Sequence, residues 1–229
     1  MIPKIIHYVW FGGDKPSHVQ DCIATWRKFC PDYEIKEWNE SNTDSKSCDF
    51  VKEALALKQY SFVSDVIRLA VLSEYGGIYL DTDVKLLKPL DPFLQHKSFV
   101  GKELPLRLST AVMGAEPNTS WIKEFLNSYT MRGKHFIDIQ GKANQTVNTI
   151  LLSDFINNTW HRFSPDIAIY PEDYFCCKSY FTKQVLITEN SVAIHDFDNS
   201  WGKKSVDGNL LLRFRNIMLR IWLRIGRNE

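Results

Sequence analysis

The 229-residue sequence lacks most of the features that would assign it to a specialised class of protein. No stretch approaches the roughly 18 consecutive apolar residues of a membrane-spanning helix. Eleven glycines and nine prolines, scattered along the chain, exclude a collagen-like or low-complexity segment. There is no charge excess: 28 basic residues face 27 acidic ones, a formal net charge of +1. That balance argues against a nucleic-acid partner, because binding a phosphate backbone requires a basic surplus. Cysteine is scarce and odd in number, and Cys22, Cys30, Cys48, Cys176 and Cys177 match no zinc-ligand spacing. They read as reduced, buried thiols of an intracellular protein. The apolar N-terminus has neither a basic n-region nor a small-residue cleavage site, so it reads as a first strand and not as a signal peptide. What remains is ordinary globular material, 44% hydrophobic and 24% charged, of a length that suits one domain, or one domain with an appendage. Aromatic content is high, 13% with seven Trp. Such rings fill cores, and they also stack on bases and sugars.

Periodicity predicts an alternation of strands and helices. Residues 4–11 form a β-rich run ended by Gly12-Gly13, and residues 17–29 carry Val19, Cys22, Ile23 and Trp26 at helical spacing. A strand is expected over 33–38, helices over 47–58 and 61–75, and a short strand over 78–80. Further strands are expected at 99–101, 111–114, 167–170 and 192–194, and helices at 118–130 and 144–157. This rhythm is that of an α/β sheet with crossover helices.

The segment Ser61–Val84, SFVSDVIRLAVLSEYGGIYLDTDV, carries the chemistry. An apolar strand delivers Asp81 and Asp83 to its C-terminal end, the edge at which open α/β sheets bind ligands. Residues two apart on an extended chain point the same way, so the two carboxylates repel unless a cation lies between them. Oxygen ligands of this kind suit Mg2+ or Mn2+ bridging a diphosphate. On its own such a pair is equally a solvated turn. On the preceding helix Asp65 and Arg68, three apart, share a face; they form either an intrahelical ion pair or an acceptor and donor aimed at sugar hydroxyls.

The pattern S-D-x-x-R-x-x-x-L-x-x-x-G-G-x-Y-x-D-x-D resembles the signature of the DXD-containing glycosyltransferases of family 32. That family includes bacterial capsule and lipopolysaccharide enzymes and the yeast initiating mannosyltransferase, and the glucosyltransferase domains of clostridial toxins carry a similar stretch. Residues 2–12, IPKIIHYVWFG, also resemble the family's first strand. The resemblance is dense over residues 1–93. It implies a GT-A glycosyltransferase fold, a Rossmann-like mixed sheet flanked by helices. It also implies a nucleotide-sugar donor, Mn2+ or Mg2+, and retention of anomeric configuration. By position, Asp65, Arg68 and Asp83 would be catalytic. Trp10 would stack on the donor base, Asp65 and Arg68 would hold the donor sugar, and Tyr79 would line the nucleotide site. Asp81 would face ribose and metal, and Asp83 would bind the metal. Where relatives often carry Asn before strand 111–114, this chain has Ser109-Thr110, and no general base is evident in the sequence.

Late in the chain, VAIHDFDNSWG (residues 192–202) resembles the family's closing element. His195 is expected as a third metal ligand, with Ser200 and Trp201 over the diphosphate and Lys203 beside it. Asn144 and Gln145 are candidates for acceptor binding, or for capping the helix that follows. Residues 1–202 are expected to form the catalytic domain and 203–229 a separate C-terminal amphipathic helix. The latter holds seven basic and two acidic residues among many apolar ones. Such a helix suits an anionic membrane interface or docks on the domain. The expected function is metal-dependent transfer of a hexose or N-acetylhexosamine, with a UDP-sugar favoured over GDP-mannose. The expected acceptor is a glycan, a lipid-linked intermediate of bacterial surface polysaccharide. The location would be cytoplasmic, peripheral at the inner face of the plasma membrane. Two other readings compete: a non-catalytic carbohydrate-binding protein of the same fold, and a haloacid-dehalogenase-type phosphatase. The phosphatase motif wants Thr or Val where this chain has Lys85.

Overall fold

The computed structural model describes residues 1–43, 48–131, 134–138 and 140–197. Its centre is a six-stranded mixed sheet in the order β2-β1-β3-β6-β5-β7. The strands are β1 (Ile5–Val9), β2 (Glu34–Trp38), β3 (Gly77–Leu80), β5 (Ser98–Leu104), β6 (Arg107–Ala115) and β7 (Ala168–Tyr170). A two-stranded sheet pairs β4 (Val84–Leu86) with β8 (Ala193–His195). The helices are α1 (Ser17–Phe29), α2 (Asp49–Ala56), α3 (Tyr60–Tyr75), α4 (Ser120–Thr130), α5 (Asn148–Phe163) and the short α6 (Glu172–Phe175).

Strand direction decides where chemistry collects. β1 runs parallel to β2 and β3, β6 runs antiparallel to β3 and β5, and β7 runs parallel to β5. The C-terminal ends of β1, β2, β3, β5 and β7 therefore share one edge, together with the start of β6. The central strand β3, Gly-Ile-Tyr-Leu, is buried throughout, as a strand with both faces covered must be.

Helix α3 supplies much of that cover. Val63, Val66, Ile67, Leu69, Val71 and Leu72 are all buried on it, each such side chain contributing about 1.5–3 kcal/mol by removal from water. The helix stops at Gly76, φ +65°, and the chain reverses through Gly77, φ +94°. A Cβ at Gly76 would lie 2.6 Å from Pro117 Cδ, and one at Gly77 would lie 2.7 Å from the carbonyl oxygen of Ile5. Only glycine fits both the dihedrals and the contacts, so the two glycines allow β3 to start directly against β1.

The helix expected over 144–157 begins at Asn148 and runs to Phe163. Residues 134–138 and 140–143 are irregular, with an antiparallel bridge between Ile137 and Ala143. All five cysteines are free and buried. Among the described residues no helix is long and apolar enough to cross a membrane. The C-terminal helix expected over 203–229 lies outside the described residues.

Candidate functional site

The end of β3 and the start of β4 bracket a tight turn. Asp81 donates its amide to the Ala111 carbonyl on β6 (2.8 Å), and the Val84 amide donates to the Asp81 carbonyl (3.0 Å). β4 then pairs antiparallel with β8, setting Val84 opposite His195, and the Asp196 amide donates to the Asp83 carbonyl (2.9 Å). This pairing carries His195 across 112 residues of sequence to Asp83, with Nε2 3.3 Å from Oδ1. Asp81, Asp83 and His195 each present one ligand atom within 4.8 Å of the others. Two carboxylates and an imidazole are the donor set that a divalent ion of the Mn2+ or Mg2+ kind accepts. The group of residues expected from sequence to hold a metal is thus brought together.

Burial alone would lower the pKa of His195, but the facing Asp83 carboxylate outweighs it and holds the imidazole well above its usual value. A cation taking the place of that proton would satisfy the same charge. The ring packs 4.1 Å from that of Phe197, whose φ of +55° is costly for a bulky residue, about 1–2 kcal/mol. Asp196 is anchored on both sides, by Lys178 (2.7 Å) and Lys85 (3.0 Å).

Behind the acidic pair, Arg68 is buried with its donors committed. Nη2 meets Asp65 Oδ1 at 3.0 Å, and Nη1 meets Asp81 Oδ1 at 3.2 Å. Nη1 also donates to the Thr110 carbonyl (2.8 Å), Nε to the Ser64 carbonyl (3.2 Å) and Nη2 to Ser64 Oγ (3.0 Å). Its guanidinium lies 4.6 Å from the centre of the Tyr79 ring, and the Tyr79 hydroxyl donates to Asp81 Oδ1 (3.0 Å). The intrahelical ion pair between Asp65 and Arg68 therefore exists, and Arg68 extends it to Asp81. Burial pushes the Asp65 carboxyl up to about 6 despite Arg68.

Sequence reasoning missed Asn148. Its Nδ2 donates to Asp65 Oδ1 (3.0 Å), while its own Oδ1 accepts from the Tyr129 hydroxyl (2.9 Å). The signal was present: Asn148, Leu152 and Ile156 form a buried stripe at four-residue spacing on α5, and a lone amide in such a stripe needs a polar partner. Asn144 and Gln145 are exposed. The Asn144 side chain accepts from the Thr146 amide (3.1 Å) in a local turn, and it does not cap α5. The Trp10 ring, at the end of β1, is buried at 6% exposure, with its Nε1 donating to the Gly13 carbonyl (2.8 Å). Its stacking face is not open in this arrangement. Ser200, Trp201 and Lys203 lie outside the described residues.

The sheet and its helical cover define a GT-A glycosyltransferase fold. The UDP-bound glycosyltransferase domain of the YGT toxin superposes with a TM-score of 0.52 over 88% of this chain and 82% of that one, at 8% identity. Residues 16–100 match the glycosyltransferase sugar-binding region containing the DXD motif, and Asp65, Arg68, Asp81 and Asp83 all fall within it. Among curated proteins, a mannosyl phosphorylinositol ceramide synthase of Saccharomyces cerevisiae is 32% identical over 144 residues, 59% of this chain and 37% of its own length. Inositol phosphoceramide mannosyltransferase 3 of Schizosaccharomyces pombe is 34% identical over 117 residues, 49% of this chain and 33% of its own. The matches thus span about a third of these two relatives. An uncharacterized glycosyltransferase of Acanthamoeba polyphaga mimivirus is 26% identical over 88% of this chain and 84% of its own length.

Proposed function

We propose that the protein is a metal-dependent glycosyltransferase that moves a hexose from a nucleotide-diphosphate sugar to a hydroxyl of a polyol or glycan acceptor. The observation that carries this reading is the convergence of Asp81, Asp83 and His195 within 4.8 Å beside the Asp65–Arg68–Asp81 ion-pair chain. In this proposal Asp81, Asp83 and His195 hold the ion. When bound, the ion supplies Lewis-acid stabilisation of the departing diphosphate. Arg68 fixes the carboxylates of Asp65 and Asp81 relative to one another, so the donor meets a site already organised. Asp65, set by Asn148 and Arg68, accepts from donor-sugar hydroxyls.

Two relatives above 30% identity are named as a mannosyl phosphorylinositol ceramide synthase and an inositol phosphoceramide mannosyltransferase. They favour mannose as the sugar and an inositol-bearing lipid head group as the acceptor, ahead of the UDP-sugar and bacterial surface polysaccharide expected from sequence. Retention of configuration is carried over with the family resemblance. Binding of residues 203–229 to an anionic membrane belongs to the same proposal, and such an acceptor would be met at the bilayer surface. Removing residues 205–229 is expected to abolish sedimentation with anionic liposomes while donor hydrolysis persists.

The test is incubation with Mn2+ and GDP-mannose, UDP-glucose, UDP-galactose or UDP-N-acetylglucosamine, following release of nucleotide diphosphate. Release from one donor, lost in Asp83→Ala, supports the proposal. Phosphate release from simple monoesters instead would support the phosphatase reading, and binding of sugars without turnover the non-catalytic one.

A further inference from the structure

Between α6 and β8 the chain makes a short hairpin. Its base is an antiparallel bridge between Lys178 and Val185. The Ser179 amide donates to the Gln184 carbonyl (2.8 Å), the Lys183 amide to the Ser179 carbonyl (3.0 Å) and the Leu186 amide to the Cys177 carbonyl (2.8 Å). Every residue from Phe181 to Asn190 is exposed. Among them are Phe181 (50%), Val185 (42%), Leu186 (69%) and Ile187 (63%). Apolar side chains scattered singly over a surface need no explanation, but a run of three beside a fourth marks a contact surface. Outside a helix, successive side chains point to different sides, and here Leu186 and Ile187 both meet solvent. The segment therefore stands clear of the domain as a ridge.

The ridge has a polar and cationic fringe. Lys183 Nζ lies 4.7 Å from the centre of the Tyr180 ring and 5.5 Å from that of Phe197. The Tyr180 ring packs against those of Phe181 (5.4 Å) and Phe197 (5.3 Å). Residues 178–188 hold two lysines and no acidic residue. A tyrosine has an apolar body and a polar tip, and a lysine lays its stem along apolar surface while its ammonium stays in water. Both are suited to the level of lipid head groups.

The ridge is also tied to the metal group. At its base Lys178 Nζ meets Asp196 Oδ1 at 2.7 Å. Phe197, which touches Tyr180, packs 4.1 Å from the His195 ring. A surface that received the ridge would thus lie beside Asp83 and His195. The sign of its charge selects an anionic bilayer as that surface, and so does the sequence beyond Phe197, which enters the basic stretch 203–229.

We propose that residues 180–187 are a membrane-contact ridge. Phe181, Val185, Leu186 and Ile187 enter the head-group and upper acyl region of an anionic bilayer, and Lys183 and the Tyr180 hydroxyl meet the phosphates. The ridge is a second contact, distinct from the attachment proposed for residues 203–229, and it turns the metal group toward the lipid. It deepens, and rests on, the reading that the acceptor is a lipid head group.

The full chain is tested with vesicles of phosphatidylcholine and phosphatidylserine. The double variant Leu186→Ser/Ile187→Ser changes no charge and touches only exposed residues, so its melting temperature should equal that of wild type. Its affinity for the vesicles is expected to fall about tenfold or more, because the apolar area that enters the lipid is lost. Separately, Ile187→Cys is labelled with a nitrobenzoxadiazole dye, which reacts there alone because the five native thiols are buried. Its emission is expected to shift to the blue on vesicles and to be quenched by lipids carrying a nitroxide high on the acyl chain. Unchanged vesicle affinity in the double variant would overturn the ridge, as would failure of the wild type to bind the vesicles. Unmoved dye emission on vesicles that hold the protein would also overturn it, leaving attachment to residues 203–229. A wild-type dimer in solution that the double variant lacks would overturn it too, by making a second copy the occupant. Hydrolysis of the nucleotide sugar in water should be equal in wild type and double variant. Its absence from both, with the vesicle results as expected, would overturn the glycosyltransferase reading and not the ridge.

Discussion

Asn148 at the start of α5 and Asp65 in the middle of α3 are joined by a 3.0 Å hydrogen bond across 83 residues of sequence. The amide is also held by the Tyr129 hydroxyl, so α3, α4 and α5 meet at one polar point beneath the site. Replacing Asn148 by Ala leaves a buried carboxylate short of one donor and a buried phenol without its acceptor. A loss of about 1–3 kcal/mol is expected, read as a lower urea midpoint. The KM for the nucleotide sugar should rise with it, because Asp65 is no longer fixed. An unchanged KM in a folded variant would show that Asp65 does not meet the donor.

Gly77 is a second sensitive point. Its φ of +94°, and the 2.7 Å that would separate an added Cβ from the Ile5 carbonyl oxygen, mean that Gly77→Ala must push β3 away from β1. The expected cost is about 1–3 kcal/mol. Thermal denaturation checks this, and a melting temperature equal to wild type would contradict the packing described.

His7 makes stability depend on pH. Trp38 Nε1 donates to His7 Nδ1 (3.0 Å) while His7 Nε2 meets the Gly76 carbonyl (2.8 Å), which fixes the neutral ring with its proton on Nε2. Burial lowers the pKa to about 4 from 6.5. The unfolded chain therefore binds this proton first as pH falls. The stabilisation is complete above about pH 6.5 and is lost as pH falls through 4, up to about 3 kcal/mol. Urea midpoints at pH 7.5 and 4.5 should differ less in His7→Gln than in wild type. Equal differences would remove His7 as the cause.

Asp196 positions the metal group without belonging to it. Lys178 and Lys85 clamp its carboxylate while its amide meets Asp83, so Asp196→Asn loosens the end of β8. Pairs as open as these contribute at most about 1 kcal/mol to stability. Groups that orient metal ligands nonetheless change affinity about tenfold or more. Titration of Mn2+ followed by electron paramagnetic resonance is expected to show that loss with little change in melting temperature. Full Mn2+ affinity in the variant would mean that β8 is held in place by its strand pairing alone.

Much of this was legible in the sequence because it is local. The strand-helix-strand rhythm up to Leu80 follows from hydrophobic period and from glycines at the ends of elements, and Asp65, Arg68, Asp81 and Asp83 lie within nineteen residues. His195 was legible only through resemblance, because the contact depends on the three-residue strands β4 and β8, too short to have a period. Asn148 was not singled out. It carries one mark, its place in the stripe with Leu152 and Ile156, but helix packing alone supplies its partner Asp65. Arg68 was expected to reach toward the sugar, whereas burial and five polar contacts turn it into the support for two carboxylates.

The central claim is that Asp81, Asp83 and His195 hold one divalent ion. Anomalous diffraction at the manganese edge, from crystals grown with Mn2+ and a nucleoside diphosphate, tests it directly. The account predicts a single strong peak coordinated by all three side chains, absent in Asp83→Ala crystals. A manganese peak elsewhere, or a salt-bridged His195–Asp83 pair with no ion beside it, would contradict it.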